Sequence, residues 1–155
     1  MISPEILYRY PFFGGLGDAQ IKALAMIADV ETFASGVTLF TEGERAKTLY
    51  FLLEGCVVLY YMGNGTTIDK FKEGIPVGEI NPGEPFSISA LIEPNVLTST
   101  ARISKPSRVI SFKAESLHTL MQKDQRLAYI LTRQAAAAMI ERLQATRVQL
   151  AAAWA

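Results

Sequence analysis

The sequence predicts a mainly β domain with flanking helices, a barrel or sandwich closed by a long C-terminal helix. Between Val37 and Phe112, short runs rich in β-branched and aromatic residues alternate with Gly, Pro and Asn. After Phe112 the pattern becomes helical, and the stretch from about Gln125 to Trp154 contains no Gly or Pro. With 155 residues, the chain has the length of one domain with a single core.

A short amphipathic helix is predicted before the strands, over residues 18–29 (DAQIKALAMIAD). Its apolar side chains fall on one helical face, namely Ile21, Leu24, Ala25 and Ala28. Asp18 is the predicted N-cap, because its carboxylate can accept hydrogen bonds from the free N–H groups of the first turn.

The β-rich runs that follow are VTLFT, TLYFLLEG, CVVLYYM, TTIDKF, TSTARI and RVISF. We expect CVVLYYM and TTIDKF to form a hairpin, because Gly63-Asn64-Gly65 between them accepts the positive φ angles of a tight turn. This turn should fix the register of the two strands.

Two helices are predicted at the C-terminus, a first over ESLHTLMQ and a second from about Gln125 to Trp154 that spans about 45 Å at roughly 1.5 Å per residue. One heptad phase of the second helix holds small and apolar residues: Thr132, Ala136, Met139, Leu143, Thr146, Leu150 and Ala153. Up to about Ala136 we expect this stripe to pack on the protein's own barrel. Beyond Ala136 we expect a partner helix, and hence a homodimer, because a lone barrel cannot cover so long a helix.

The composition narrows the classes of partner. Fifteen Lys and Arg balance fifteen Asp and Glu, so the chain lacks the basic surplus typical of proteins that bind a phosphate backbone. The single cysteine, the lack of a secretory signal and the lack of an apolar run of about 18 residues predict a soluble cytoplasmic protein without a membrane span.

Catalytic residues are not evident. The single histidine, His118, lies in the helical segment SLHTLM, so a surface or packing role is favoured over metal or haem ligation. Cys56 lies in an apolar run without a basic neighbour, which favours burial over nucleophilic activation. No P-loop and no Ser, His and acid set can be assembled. The sequence therefore predicts a protein that is not an enzyme and requires no metal or other cofactor.

Several spaced motifs carry a family resemblance: PFFGGL near the N-terminus, Ala34-Ser35-Gly36 before VTLFTEGE, Leu52-Leu53-Glu54-Gly55, and Asn81-Pro82-Gly83-Glu84-Pro85-Phe86. From Pro11 to about Trp154 the chain resembles the cyclic-nucleotide-binding domains of the Crp/Fnr superfamily. The resemblance implies an eight-stranded β-roll (a double-stranded β-helix, or jelly roll) with flanking helices. It further implies one domain over 1–155, with a helical segment at 1–35, the roll at 36–113 and C-terminal helices at 114–155. A phosphate-binding cassette is expected at 83–100.

In that family the cassette grips the cyclic phosphate through backbone amides, an Arg side chain and a neighbouring Ser or Thr, while a Glu binds the ribose hydroxyl. Here the usual Gly is Ser87, the Glu is Ile88 and the Arg falls at Leu97. A charge-assisted hydrogen bond contributes roughly 1.5–3 kcal/mol, so these two losses together should weaken binding by more than about a hundredfold.

The ligand-binding residues that the resemblance implies are Phe86, Ser87, Ile88, Ser89, Ala90, Leu97, Thr98 and Ser99. Thr98 matches the hydroxyl residue beside the missing Arg, and Ser87 and Ser89 can add hydroxyl donors. Thr146 is either a base contact from the long helix, as in the catabolite activators, or an ordinary heptad residue. Arg102 and Glu84 could replace the lost charges, although a surface role and a turn role are favoured.

Three functions follow from the resemblance. The first is a non-catalytic regulatory sensor that binds cyclic AMP, cyclic GMP or another small effector and signals through the long dimer helix. The second is a dimeric adaptor whose pocket is filled from within by Leu97 and Ile88. The third is a Crp-type transcription regulator, whose helix-turn-helix domain would begin where this chain stops, at Ala155. Either the protein is a stand-alone domain that lacks the helix-turn-helix naturally, or the sequence is truncated before it. In both cases we expect that this polypeptide does not bind DNA.

Overall fold

The computed structural model describes residues 1–63 and 72–155. The strands are β1 (Ala28–Phe33), β2 (Thr38–Phe40), β3 (Thr48–Tyr61), β4 (Ile75–Ile80), β5 (Pro85–Phe86) and β6 (Thr100–Lys113). The helices are α1 (Pro4–Tyr8), α2 (Asp18–Ile27), α3 (Ala114–Lys123) and α4 (Gln125–Ala153), with 3-10 turns at Pro11–Phe13 and Ile88–Ala90. Within these residues, no helix combines the length and apolar character that crossing a bilayer requires.

All pairings in the sheet are antiparallel, with the order β1-β6-β3-β4, while β2 also pairs with β6 and β5 with β3. Strands β3 and β6 are long because each joins two of the predicted runs. The register between them shifts at several points from Leu52 to Val57. At this bulge Gly55 has φ +100°, and a Cβ there would lie 2.2 Å from the Ser107 Oγ, so a side chain would not fit.

The structure confirms the mainly β fold with flanking helices and a long C-terminal helix. The described residues form six strands, so the eight strands of the expected roll are not established. The predicted run TTIDKF and the Asn64-Gly65 part of the predicted turn lie outside the described residues.

Two predictions about the N-terminal helix are wrong. Helix α2 ends at Ile27, because Ala28 opens strand β1 and pairs with Phe112. The N-cap is Gly17 and not Asp18, which is the first helical residue and accepts a hydrogen bond from the Tyr8 hydroxyl. The sheet therefore begins before the predicted boundary of the roll at residue 36.

The core has two parts. One lies between the sheet and the helices, and there Phe12 and Phe13 of the PFFGGL motif pack around Phe51 with ring centroids 5.8 and 5.0 Å away. The other lies within the strands and is built from apolar residues of β3 to β6: Leu52, Val57, Leu59, Ile80, Phe86, Ala101, Ile103 and Val109. This second part supports the cassette, because it contains Phe86, a cassette residue.

Helix α4 begins at an N-cap, Asp124, whose Oδ1 accepts a hydrogen bond from the Leu127 N–H at 3.0 Å. That bond, together with one from the Gln20 amide, holds the pKa of Asp124 below its ordinary value. The helix is therefore fixed at its start both to its own backbone and to α2.

The first half of α4 packs on the body of the domain, but through a different face from the predicted one. Leu127, Leu131 and Ala135 are buried, whereas Thr132 and Ala136 of the predicted stripe are exposed. The buried stripe is offset by one residue from the predicted stripe and carries the larger apolar side chains. Its burial therefore contributes more free energy. From Leu143 onward every residue of α4 is exposed.

Candidate functional site

The cassette begins with an unusual backbone conformation. Strand β5 ends at Phe86, and Ser87 then adopts the left-handed region with φ 61° and ψ 41°. A 3-10 turn follows over Ile88–Ala90. An L residue in this region costs on the order of 1–2 kcal/mol, whereas glycine adopts it freely. This explains physically why the family pattern has Gly where this chain has Ser87.

Asn95 stabilises the 3-10 turn over Ile88–Ala90 from its C-terminal side. It also has a positive φ, 59°, and its Nδ2 donates to the carbonyl oxygens of Ser89, Ala90 and Ile92 at 2.9, 3.3 and 3.1 Å. His118 Nε2 lies 2.7 Å from the Ala90 oxygen and joins the turn to α3. The cassette carbonyls are thus satisfied by the chain itself, and His118 has the packing role that the sequence favoured.

Leu97 is built into the core where the family has its phosphate-binding Arg. Its side chain is 5% exposed, and its N–H donates to the Glu44 oxygen at 2.8 Å while its own oxygen accepts from the Gly43 N–H at 2.8 Å. Ile88, in place of the ribose-binding Glu, is half-buried against the same core. Two charged ligand contacts of the family pattern are therefore replaced by packed apolar side chains.

A cavity of about 230 Å³ lies beside Ser87 and Leu97. We call it the roll cavity; it is lined by Leu39, Phe40, Glu44, Arg45, Lys47, Thr48, Tyr50, Ser87 and Leu97. Its volume is below the roughly 300–1,000 Å³ of typical small-molecule sites. The hydroxyl of Ser87 forms no hydrogen bond within the described residues, so it is free to donate to a ligand.

Aromatic rings and cations give the roll cavity its chemistry. Phe40 and Tyr50 stack with Phe86, and the ring centroids are 6.3 and 5.2 Å from that of Phe86. Burial raises the pKa of the Tyr50 hydroxyl, which stays neutral. Arg45 and Lys47, which sequence reasoning missed, bring positive charge to the same cavity. Their residue types gave no signal, because exposed Arg and Lys are common in any loop.

The other predicted site residues are more scattered. Phe86 and Ala90 are buried, Ser89 and Ser99 are half-buried, and Thr98 is exposed. Of the predicted ligand contacts, Ser87 and Leu97 line the roll cavity.

Thr146 and Arg102 already have partners in the protein. Thr146 is exposed, and its Oγ1 donates to the Arg142 oxygen one turn back at 2.9 Å. Arg102 lies over the Tyr60 ring, with its guanidinium carbon 4.6 Å from the ring centroid. A cation–π contact of this kind stabilises a partly exposed Arg on the sheet, so Arg102 does not replace the lost cassette Arg.

Arg142 links the long helix to the cassette. Its Nη2 donates to the Pro85 oxygen at 2.7 Å and lies 3.9 Å from a Glu84 carboxylate oxygen, and its side chain is 17% exposed. Burial lowers the pKa of the guanidinium, which nevertheless remains charged at neutral pH. Glu84 also accepts from the Asn81 N–H at 3.1 Å, which is the turn role that the sequence favoured.

No metal or thiol chemistry is apparent in the described part of the chain. Among residues 1–63 and 72–155, no three His, Cys, Asp or Glu side chains converge as metal ligands. The Cys56 Sγ lies 2.9 Å from a Glu79 carboxylate oxygen, and burial, with that hydrogen bond, raises the pKa of the thiol. A thiol with a raised pKa is a poor nucleophile at neutral pH.

A sheet that carries a cassette between β5 and β6, and a long helix that contacts that cassette, define the cyclic-nucleotide-binding class of fold. The chain matches the family model for the cyclic nucleotide-binding domain over residues 30–124, and it belongs to this family. Family membership confirms the resemblance noted from the sequence motifs.

Named relatives agree with this assignment. A candidate cyclic nucleotide-binding protein from Geobacter metallireducens is 37% identical, with a TM-score of 0.81 over 92% of this chain and 99% of its own. The N-terminal domain of a transcriptional regulator from Streptomyces coelicolor is 26% identical, with a TM-score of 0.67 over 90% and 94% of the two chains.

A curated relative is longer than this chain. The CRP-like cAMP-activated global transcriptional regulator of Mycobacterium tuberculosis is 27% identical over 115 residues, which are 74% of this chain and 49% of that protein. The chain thus spans about half the length of the curated relatives it matches.

Proposed function

We propose that this domain is a non-catalytic, cytoplasmic regulatory module. A small effector binds in the roll cavity, the cassette responds, and α4 carries the response to a second copy of the chain. The observation that carries the proposal is the Arg142 contact, because it ties the signalling helix to the backbone that immediately precedes Phe86 and Ser87. A shift of the cassette strand would therefore break or remake a partly buried, charge-assisted hydrogen bond.

The chemistry of the roll cavity supports a small aromatic anion as the effector. Rings of Phe40 and Tyr50 offer apolar faces, and the Ser87 hydroxyl is free to donate. The cations Arg45 and Lys47 outnumber the one carboxylate among the described residues of the lining, Glu44. Cyclic AMP and cyclic GMP belong to this class. Their affinity should be low, because Leu97 offers no charge to the phosphate and narrows the space.

The exposed second half of α4 supports the homodimer. Leu143 and Leu150 of the predicted stripe are 50% and 60% exposed, and Ile140 and Trp154 beside them are 64% and 84% exposed. Apolar residues at this spacing form the seam of paired helices. A partner helix would remove them from water, at roughly 25 cal/mol per Å² of apolar area. Thr146 would then lie at the seam, within reach of a ligand bound by the partner.

Titration of the unmodified chain with cyclic AMP and cyclic GMP tests the ligand. We expect the thermal unfolding midpoint to rise only at millimolar nucleotide, because a ligand that prefers the folded state stabilises it by an amount set by its concentration relative to Kd. Adenosine and AMP are the matched controls for the cyclic phosphate. An unchanged midpoint at millimolar cyclic nucleotide would count against a cyclic-nucleotide sensor.

A second function, a dimeric adaptor without a ligand, is favoured by the packing of Leu97 and Ile88. In that case contacts within the chain, among them those of Asn95, His118 and Arg142, hold the cassette without a ligand. The two functions differ in one measurable respect, since the adaptor shows no saturable response to any small molecule. A transcription-regulator role, as in the Mycobacterium relative, would need a DNA-binding domain beyond the half of that relative which this chain matches.

A further inference from the structure

A second, larger cleft lies beside the roll cavity. Its volume is about 550 Å³, which falls within the roughly 300–1,000 Å³ of small-molecule sites. The cleft lies between the segment that precedes β3, Asn95 of the cassette and the start of α3. It shares part of its wall with the roll cavity, but Lys113, Glu115 and His118 line the cleft and not the roll cavity.

Three cations converge on the cleft without partners. Arg45, Lys47 and Lys113 line it, and in the described part of the chain none of their side chains forms an ion pair or hydrogen bond. Glu115 is the one acidic residue among the described residues that line the cleft. A concave surface on which one sign of charge outnumbers the other, here three cations against one carboxylate, attracts the opposite charge. The cleft therefore has the electrostatics of an anion site.

The backbone holds two of these cations side by side. Thr48 of β3 is paired with Lys113 of β6, and the Ala114 N–H donates to the Lys47 oxygen at 2.9 Å. Ala46 and Ala114 form a buried floor of small side chains, only 3% and 7% exposed. Lys113 ends β6 and Lys47 directly precedes β3, so the sheet restrains the backbone at both positions and less ordering is needed when an anion binds.

The cleft also contacts the residues that hold the cassette. Asn95, which donates to three cassette carbonyls, and His118, which contacts the Ala90 oxygen, both line it. An anion bound in the cleft would contact Asn95 and His118, which stabilise the cassette, from outside the roll cavity. Occupancy would therefore change the stability of the 3-10 turn over Ile88–Ala90.

We propose that this cleft is a second ligand site, which binds the polyphosphate group of a small molecule such as a nucleoside triphosphate. Three separated cations suit a chain of phosphates better than a single carboxylate, because each phosphate can meet its own cation. The volume leaves room for a nucleoside beyond the phosphates. Arg45 and Lys47 line both cavities, so a cyclic nucleotide in the roll cavity would compete with a triphosphate for these cations, and the titration that tests the cleft is made without cyclic nucleotide.

Calorimetric titration with inorganic triphosphate and with ATP, at low ionic strength, tests the site in the full chain. We expect saturable binding that weakens as salt is added. Lys113→Glu should weaken it at least tenfold, and Glu115→Gln should tighten it severalfold. Lys22→Glu, the same charge change at an exposed α2 residue that lines neither cavity, should leave the affinity within twofold of the unmodified value.

The proposal is overturned if the unmodified chain shows no saturable binding, or if Lys113→Glu and Lys22→Glu have equal effects. Should Lys113→Glu fail to fold, the neutral Lys113→Gln should still weaken binding severalfold. Substitution of Ile88 and Leu97 should leave triphosphate binding unchanged, because neither residue lines the cleft. The effect of these substitutions therefore distinguishes the two proposals, because the cyclic-nucleotide proposal can fail while triphosphate still binds in the cleft.

Discussion

The double substitution Ile88→Glu and Leu97→Arg, which restores the two charged residues of the family, should tighten cyclic nucleotide binding by about a hundredfold or more. Each restored side chain would form a charge-assisted hydrogen bond that contributes roughly 1.5–3 kcal/mol. Calorimetric titration with cyclic AMP measures the gain. Leu97 is 5% exposed, so an Arg without a bound anion is a buried, unpaired charge that costs on the order of 3–5 kcal/mol. The unliganded variant should therefore unfold at a lower temperature, and nucleotide should restore its midpoint.

Leu97→Ala is the matched control for the double variant. It opens the roll cavity and costs about 2–5 kcal/mol, as large-to-small core substitutions do, but it adds no charge. Its nucleotide affinity should stay within a few-fold of the unmodified chain. A folded Ile88→Glu, Leu97→Arg variant with unchanged affinity would contradict the proposed ligand geometry. Such a result would show that the backbone amides of the 3-10 turn over Ile88–Ala90 do not bind the phosphate.

Leu143→Asp should convert the proposed homodimer into a monomer. The substitution places a carboxylate at the centre of the exposed stripe, where two copies would bring like charges together in an apolar seam. Light scattering coupled to size-exclusion chromatography measures the mass, which we expect to fall from two chains to one at micromolar concentration.

Val148→Asp is the control for that substitution. Val148 is 69% exposed on the same helix but lies off the stripe, so its carboxylate should leave the dimer intact. A dimer that survives Leu143→Asp, or one that is lost equally in both variants, would refute this seam. Neither substitution should affect the fold of the body, because no residue beyond Leu143 is buried.

Much of the fold was predictable because hydrophobic pattern and turn residues act locally. The runs that form β3 and β6, the helix over ESLHTLMQ and the long α4 were all placed from sequence. The predictions failed where tertiary contacts decide. Helix α2 gives way to β1 at Ala28 because Phe112, distant in sequence, offers a strand partner, and the buried face of α4 is set by the shape of the body beneath it.

The candidate site was less predictable than the fold. The aligned motif predicted that Ile88 and Leu97 replace the charged Glu and Arg of the family. It did not predict that Leu97 becomes part of the core. Asn95 gave a weak signal, since Asn tolerates a left-handed backbone, whereas its three carbonyl contacts require the folded turn. Arg142 acts through Pro85 and Glu84, which are distant in sequence, and Arg45 lines the roll cavity beside Ser87 and Leu97, which are also distant, so no local pattern marks either residue.

Coupling between the roll cavity and the long helix is the central feature of the proposed mechanism, and hydrogen exchange measured by mass spectrometry tests this coupling most directly. At saturating cyclic AMP, we expect exchange to change together in the cassette, residues 86–91, and in α4, residues 139–153. Arg142→Leu should preserve the first change and abolish the second. Arg133→Leu should preserve both, because Arg133 lies on the same helix and its side chain bonds, among the described residues, to Tyr129 one turn away and not to the cassette. A cassette that responds in the unmodified chain while α4 does not would contradict the account.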